Sequence, residues 1–270
     1  MQGRISQPIE NQIQAFPYDE WENEFFKAKK LGYDKIEWVF DKKSNPILFK
    51  ENIEKIKKIC SDSGIGISSI CCDYFMTNRL YGVSEKELQE NTLVLEKIIE
   101  NTSQLGMKIV EIPLVDSSSI SNKNYEEQFF INLQKILPLV EKEDIILTLE
   151  TDLEPYRFKT FLERFDNPYV KANYDTGNST SLGYDVNLEL KELGSFIKNI
   201  HIKDRIFHGS TVELGTGDCN FDMFFKKLSE IKYEGELIIQ GARLDEQEIP
   251  EVTCKKYLKF VKDYIDKYLV

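Results

Sequence analysis

Four short apolar runs in the second half of the chain each close on a side chain that can give an electron pair to a cation. They are Leu147-Thr148-Leu149-Glu150, Asn173-Tyr174-Asp175, Ile200-His201-Ile202 and Leu237-Ile238-Ile239-Gln240. Two carboxylates, an imidazole and an amide carbonyl form a mixed oxygen and nitrogen set suited to one divalent ion, Mn, Mg, Co or Zn. An ion so held polarises a carbonyl or hydroxyl oxygen as a Lewis acid. Taken one at a time the residues have plainer explanations, since a carboxylate at a strand end usually caps a helix or joins a salt bridge. A lone histidine usually sits hydrogen-bonded in a core, and His201 is one of only two in the chain. Recurrence at four successive strand ends is what favours the metal.

Residues at strand ends converge only if the strands are neighbours. Short runs rich in Ile and Val alternate with stretches of helical period, the pattern of a parallel sheet with helical crossovers. Eight strands are expected, over residues 1–5, 35–40, 66–72, 108–112, 145–150, 170–175, 199–202 and 236–240. Trp21, Phe25 and Ala28 share one helical face, as do Ile53, Ile56 and Cys60, then Leu95, Ile98 and Ile99, and finally Tyr257, Phe260, Val261 and Tyr264. Gly32, Gly64 and Gly106 stand where helices should end in left-handed caps. No Gly/Ser/Pro-rich linker interrupts the rhythm, so a single (β/α)8 TIM barrel over residues 1–270 is expected. In such barrels the active site lies at the C-terminal ends of the strands. The weak points are the first strand, which starts at Met1 and is short, and the loop over residues 204–218. Either the barrel opens at its first strand or residues upstream are missing.

A net charge of -11 and a pI near 4.9 argue against nucleic acid, which needs clustered Lys and Arg. The absence of a long apolar window and of an export signal argues for a cytoplasmic protein without a membrane partner. Cys60, Cys71, Cys72, Cys219 and Cys254 are odd in number and lack zinc-knuckle or redox spacing, so they read as reduced thiols.

Three further stretches accompany the strand ends: Met1-Gln2-Gly3-Arg4, His201-Ile202-Lys203-Asp204-Arg205, and Leu214-Gly215-Thr216-Gly217 followed by Phe221, Tyr233-Glu234-Gly235 and Gln240-Gly241-Ala242-Arg243. In this order they make the whole chain resemble the sugar phosphate isomerase and epimerase branch of the xylose isomerase-like TIM barrels. The resemblance implies one divalent ion on Glu150, Asp175, His201 and Gln240, and a reaction that moves a proton beside the carbonyl of a sugar, keto-sugar or sugar phosphate through a metal-stabilised enediolate. Related ketose epimerases generally carry a glutamate where Gln240 stands, and two opposed glutamates then exchange protons on the two faces of the substrate. An amide can coordinate but is not a practical acid or base. Glu150 is then the base, and Lys203, Asp204 and Asp73 are the alternatives for its partner. A second departure is Asn178, where relatives often show histidine. Barrels of this kind commonly pair through outer helices and loops, so a homodimer is among the expectations.

Lys203, Arg205 and Arg243 follow the seventh and eighth strands, where they are placed to hold a phosphate or carboxylate; pairing with surface carboxylates is the alternative. Arg4 and Glu37 are placed either to pair with each other in the barrel mouth or to touch substrate. Phe16 and Tyr74, in loops after strand ends, are candidates for an apolar wall against a sugar, whereas Trp21 reads as helix core and His208 as exposed. Two other functions stay open: a metal-dependent dehydratase or lyase on a keto-polyol, and a sugar-binding barrel without catalysis. A DNA-repair endonuclease on this barrel would need several histidines and a basic face, which the chain lacks.

Overall fold

The apolar runs form parallel strands because their branched residues pack under amphipathic helices. The computed structural model describes residues 1–2, 4–9, 14–243 and 249–269. In chain order, α1 (Trp21–Leu31), β1 (Lys35–Val39), α2 (Ile53–Ser63) and β2 (Gly66–Cys71) open the fold. Then come α3 (Tyr74–Thr77), α4 (Glu85–Gln104), β3 (Ile109–Leu114), α5 (Lys123–Gln134), α6 (Leu137–Lys142) and β4 (Ile146–Thr151). They are followed by α7 (Pro155–Glu163), β5 (Val170–Asp175), α8 (Thr176–Leu182), α9 (Val186–Leu193) and β6 (Ile197–Ile202). A small antiparallel pair, β7 (Asp204–Arg205) and β8 (Thr211–Val212), precedes α10 (Phe221–Glu230), β9 (Glu236–Ile239) and α11 (Pro250–Tyr268).

The main sheet runs β1-β2-β3-β4-β5-β6-β9, all parallel. The gap between β9 and β1 is filled by the N-terminal segment. The Gln2 amide donates to Ile239 O at 3.3 Å and the Glu37 amide to Met1 O at 2.9 Å, so the chain closes as a (β/α)8 barrel. The first of the eight expected strands is therefore a single bridge at Gln2, with Gly3 outside the described residues. Strand β3 runs on through Pro113, beyond the expected end at residue 112. The reason is directional. Backbone groups two apart in a strand face the same neighbour, and Glu111 O accepts from Cys72 on the β2 side, where the ladder stops. The N–H that proline lacks would have faced no strand.

All three expected glycine caps have positive φ, at 90°, 68° and 76° for Gly32, Gly64 and Gly106. Trp21, Phe25 and Ala28 are buried on α1, and Leu95, Ile98 and Ile99 on α4. Within the sheet, Val110, Ile112, Leu147, Leu149, Ile200 and Ile202 are all fully or almost fully buried in the apolar core. Polar side chains on alternate positions fill the inside of the barrel instead: Gln2, Glu37, Ser69, Glu111, Thr148, Asn173 and Asn199 are each 2 % exposed or less. The Asn199 amide reaches across to the Glu37 carboxylate at 2.9 Å, although β6 and β1 are not paired. A barrel interior made of branched residues, the usual filling, is thus replaced by a polar layer in which Glu37, Ser69, Asn173 and Asn199 are hydrogen-bonded. Among the described residues no helix is long and apolar enough to cross a membrane.

One buried acid on the outer layer gives a pH signature. Glu189 of α9 accepts from the Tyr174 hydroxyl at 2.8 Å and from Ser179, and burial pushes its carboxyl up to about 7 from 4.5. The folded state therefore keeps a proton that the unfolded chain has lost, and stability falls as pH rises from about 4.5 through about 7. The full effect is on the order of 3 kcal/mol, from 1.36 kcal/mol per pKa unit. Glu189→Gln should consequently gain stability relative to the parent between pH 5 and pH 8, read by denaturant titration at both. An unchanged difference at the two pH values would remove this account of Glu189.

Candidate metal and substrate site

Strand register brings the four strand-end residues to one rim. Asp175 pairs directly with His201 across β5 and β6, and Glu150 lies on β4 beside β5. Gln240 follows β9, two residues past Ile238, the partner of His201, and its backbone amide is held by Ile202 O at 2.9 Å. Ligand atoms of Glu150, Asp175 and His201 all lie within 4.8 Å of one another, and all three residues are buried. Gln240 is 2 % exposed and its side-chain oxygen has no hydrogen-bond partner.

His201 is oriented from both sides. Its Nε2 lies 2.9 Å from Glu37 Oε1, while Nδ1 faces Glu150 Oε2 at 3.0 Å and Asp175 Oδ2 at 3.9 Å. Burial disfavours the imidazolium, but Glu37 and Glu150 outweigh it and lift the His201 pKa well above its usual range. Glu37 is itself fixed by Ser69 at 2.6 Å and Asn199 at 2.9 Å. A carboxylate behind a histidine sets the ring orientation and raises its basicity as a ligand, so Glu37 belongs to the site without touching its centre. Arg4 and Glu37 do not pair with each other: Arg4 instead donates to Gly241 O at 3.0 Å and to Gln2 O at 3.4 Å.

The Glu150 carboxylate is held at both oxygens, Oε1 by Asn178 at 2.7 Å and Oε2 by Asn173. Burial would raise its pKa, yet His201 and Lys203 hold it below the ordinary glutamate range. Asn178, the position where relatives often show histidine, also accepts from Arg205 Nη1 at 3.0 Å. It therefore couples the loop of β7 and β8 to Glu150. Lys203 Nζ contacts Asp175 Oδ2 at 2.6 Å and supplies countercharge. Room for this lysine depends on Gly177, where an added Cβ would come within 2.7 Å of Lys203 Cγ.

A cavity of about 600 Å³ opens above these groups, within the size range of small-molecule sites. Glu150, His201, Gln240, Lys203 and Arg205 line it, together with Arg4, Gln14, Cys71, Asp73, Glu111 and Asn178. Lys203 and Arg205 thus reach the cavity, although Arg205 spends Nε and Nη2 on Gly209 O at 3.1 and 2.8 Å. Arg243 donates to Ser6 O at 2.8 Å and is not among the lining residues. Phe16 packs against Trp38 at 4.8 Å between centroids, and Tyr74 against Phe40 at 5.3 Å; both are core residues away from the cavity lining. Asp204 is fully buried and accepts from the backbone amides of Gly215, Gly217 and Cys219 at 2.9, 2.9 and 3.2 Å, so it organises a loop. Asp73 does face the cavity, bound by Gln14 at 2.6 Å and by the Cys71 thiol at 3.3 Å. Burial pushes its carboxyl up to about 6. His208 is exposed, as expected.

Glu111, Asn173, Asn199 and Ser69 do not figure among the strand-end candidates because each lies inside an apolar run. Their signal is periodicity. Asn173 and Asn199 stand two residues before Asp175 and His201, on the same face of the strand.

The donor set fits a divalent ion. Three buried ligands meet, a fourth carries an orphaned carbonyl oxygen, and the histidine has an outer carboxylate. Comparison with known proteins bears on the family and the fold. The model of the family described as xylose isomerase-like TIM barrel matches residues 25–259. The chain is 21% identical over 241 residues, 84% of each chain, to L-ribulose-5-phosphate 3-epimerase UlaE of Shigella flexneri serotype 5b. It is 24% identical over 238 residues to putative L-ribulose-5-phosphate 3-epimerase SgbU of Haemophilus influenzae, covering 82% of this chain and 83% of that one. Among solved structures, an L-ribulose 3-epimerase superposes with a TM-score of 0.81 at 17% identity, covering 99% and 94% of the two chains. The IOLI protein with a bound zinc atom superposes with a TM-score of 0.77 at 17% identity, covering 94% of each.

Proposed function

Because the chain belongs to the xylose isomerase-like TIM barrel family, we propose that it is a divalent-metal-dependent isomerase or epimerase of a small sugar, keto-sugar or sugar phosphate. The observation that carries this reading is the meeting of Glu150, Asp175 and His201 beneath a cavity whose wall Glu150, His201 and Gln240 help to form. Relatives with epimerase names over 84% of the chain support the same class. Glu150, Asp175, His201 and Gln240 would hold the ion, which when bound supplies Lewis-acid neutralisation of charge developing on substrate oxygens.

The chain's own groups move the proton. Glu150, aimed by Asn173 and Asn178, takes it from the carbon beside the carbonyl. Gln240 cannot return it from the far side. Asp204 is occupied by three backbone amides. Of the remaining alternatives, Asp73 is the one we assign, since it faces the cavity with a carboxyl near 6 and is able both to give and to take a proton near neutrality. Lys203, held against Asp175, stays cationic and steadies the negative charge of the intermediate.

The test is exchange in heavy water: with metal and a panel of ketoses and ketose phosphates, deuterium should enter at the carbon beside the carbonyl, with formation of an isomer. A second reading is favoured by Gln240 alone. Without a second glutamate, proton abstraction can end in loss of a hydroxyl from a keto-polyol, and a product lighter by one water with no isomer formed would decide for that dehydratase.

A further inference from the structure

The cationic groups expected to meet a substrate anion are largely committed to other partners. Lys203 is paired with Asp175, Arg205 with Gly209 O and Asn178, and Arg243 donates to Ser6 O. Arg4 differs. It is 3 % exposed, lines the cavity, and takes part in no ion pair among the described residues. Two of its nitrogens are fixed, Nε on Gly241 O and Nη1 on Gln2 O, while Nη2 is buried with no hydrogen-bond partner among the described residues.

A buried guanidinium is costly unless its charge and its N–H groups are met. Here the backbone holds the planar fork still and leaves one nitrogen without a partner in a residue that lines the cavity. That is the preorganisation that favours binding of a phosphate or carboxylate by arginine. Asp73 lies nearby but is engaged by Gln14 and Cys71, and the Arg243 guanidinium adds a second positive charge close to Arg4. A cavity of about 600 Å³ leaves room for a short sugar chain between the Glu150 rim and this point.

We propose that Arg4 is the anion-recognition residue of the cavity, and that the substrate is an acyclic sugar carrying a phosphate or carboxylate group at the end remote from the reacting carbonyl. The sugar part of this statement rests on the isomerase or epimerase reading; the anion part does not. Arg4 replaces Lys203, Arg205 and Arg243 as the principal contact, because among these four cations of the described residues it is the one that lines the cavity and keeps a buried nitrogen without a partner.

The experiment is calorimetric titration of the full chain at fixed ionic strength, first with inorganic phosphate. The parent should bind it, and Arg4→Gln should bind it at least tenfold more weakly while keeping the parent's metal stoichiometry. Arg205→Gln should stay within about threefold of the parent. A parent that binds no phosphate, or an Arg4→Gln protein that binds it equally well, overturns the proposal. Should Arg4→Gln fail to fold, the unmodified protein decides. A pentulose 5-phosphate or a ketouronate should bind at least tenfold better than the neutral pentulose, the tighter of the two identifying phosphate or carboxylate; equal binding of all three overturns the proposal. Deuterium exchange separates the two claims. Anion binding without exchange on any sugar sinks only the catalytic reading, and exchange that is equally fast on neutral and anionic sugars sinks only the role of Arg4.

Discussion

Glu150→Gln should lower the rate of deuterium entry beside the substrate carbonyl by about 10³-fold or more, measured with metal in excess. A positioned general base is worth roughly 10² to 10⁴ in rate, and here the same carboxylate is also one of the converging ligands. Glutamine keeps the shape and the contact with the Asn178 amide only in part, since one Glu150 oxygen accepts from Asn178 and the other faces Asn173 and His201. Thermal stability should change little by comparison, so the loss will appear in turnover. If the variant keeps more than about a tenth of the parent rate at saturating metal, Glu150 is not the base. Asp73→Asn should then be measured in the same assay: a smaller loss in exchange and a larger one in isomer formation are expected from the role in proton return that we propose for Asp73.

The largest expected effect on stability lies outside the chemistry. Asp204→Ala should cost on the order of 3 to 5 kcal/mol, because it strands the amides of Gly215, Gly217 and Cys219 beneath the loop. For a chain of this size that is a fall in melting temperature of about 10 °C, from 2 to 4 °C per kcal/mol. Asp204→Asn keeps one acceptor oxygen and should lose about half as much. The loop carries Arg205, which steadies Asn178 and through it Glu150, so the alanine variant should also lose activity. A melting temperature within about 2 °C of the parent would mean that the loop is held by something else.

Much of this molecule is legible in its amino-acid sequence. Seven of the expected strands fall within about two residues of their observed bounds because buried parallel strands are apolar runs of limited length. The shortfall at the N-terminus is also visible there, as a strand too short to make a ladder, and the bridge at Gln2 closes the barrel with backbone groups that no side-chain pattern announces. At the rim, spacing by one β/α unit is enough to bring Glu150, Asp175 and His201 together, with Gln240 following the next strand of the sheet.

What sequence does not show follows from two causes. The polar interior, Ser69, Glu111, Asn173 and Asn199, hides inside apolar runs, where a single polar residue reads as noise until period two is applied strictly. The direction of long side chains is the second cause. Arg4, Lys203, Arg205 and Arg243 are indistinguishable as cations along the chain, and only their local acceptors decide which one is left for a ligand. Phe16 and Tyr74 illustrate the same point, since an aromatic after a strand can turn to the cavity or fold back on Trp38 or Phe40, and here both fold back.

Titration of metal-free protein with Mn²⁺ or Zn²⁺ tests the central claim most directly. One ion per chain is expected, with affinity reduced at least 100-fold in Asp175→Ala and in His201→Ala, and about 10-fold in Glu37→Gln, which only orients the imidazole. Binding of no ion by the parent, or equal affinity in the Asp175→Ala and His201→Ala proteins, would contradict it and leave the barrel without the chemistry assigned to its rim.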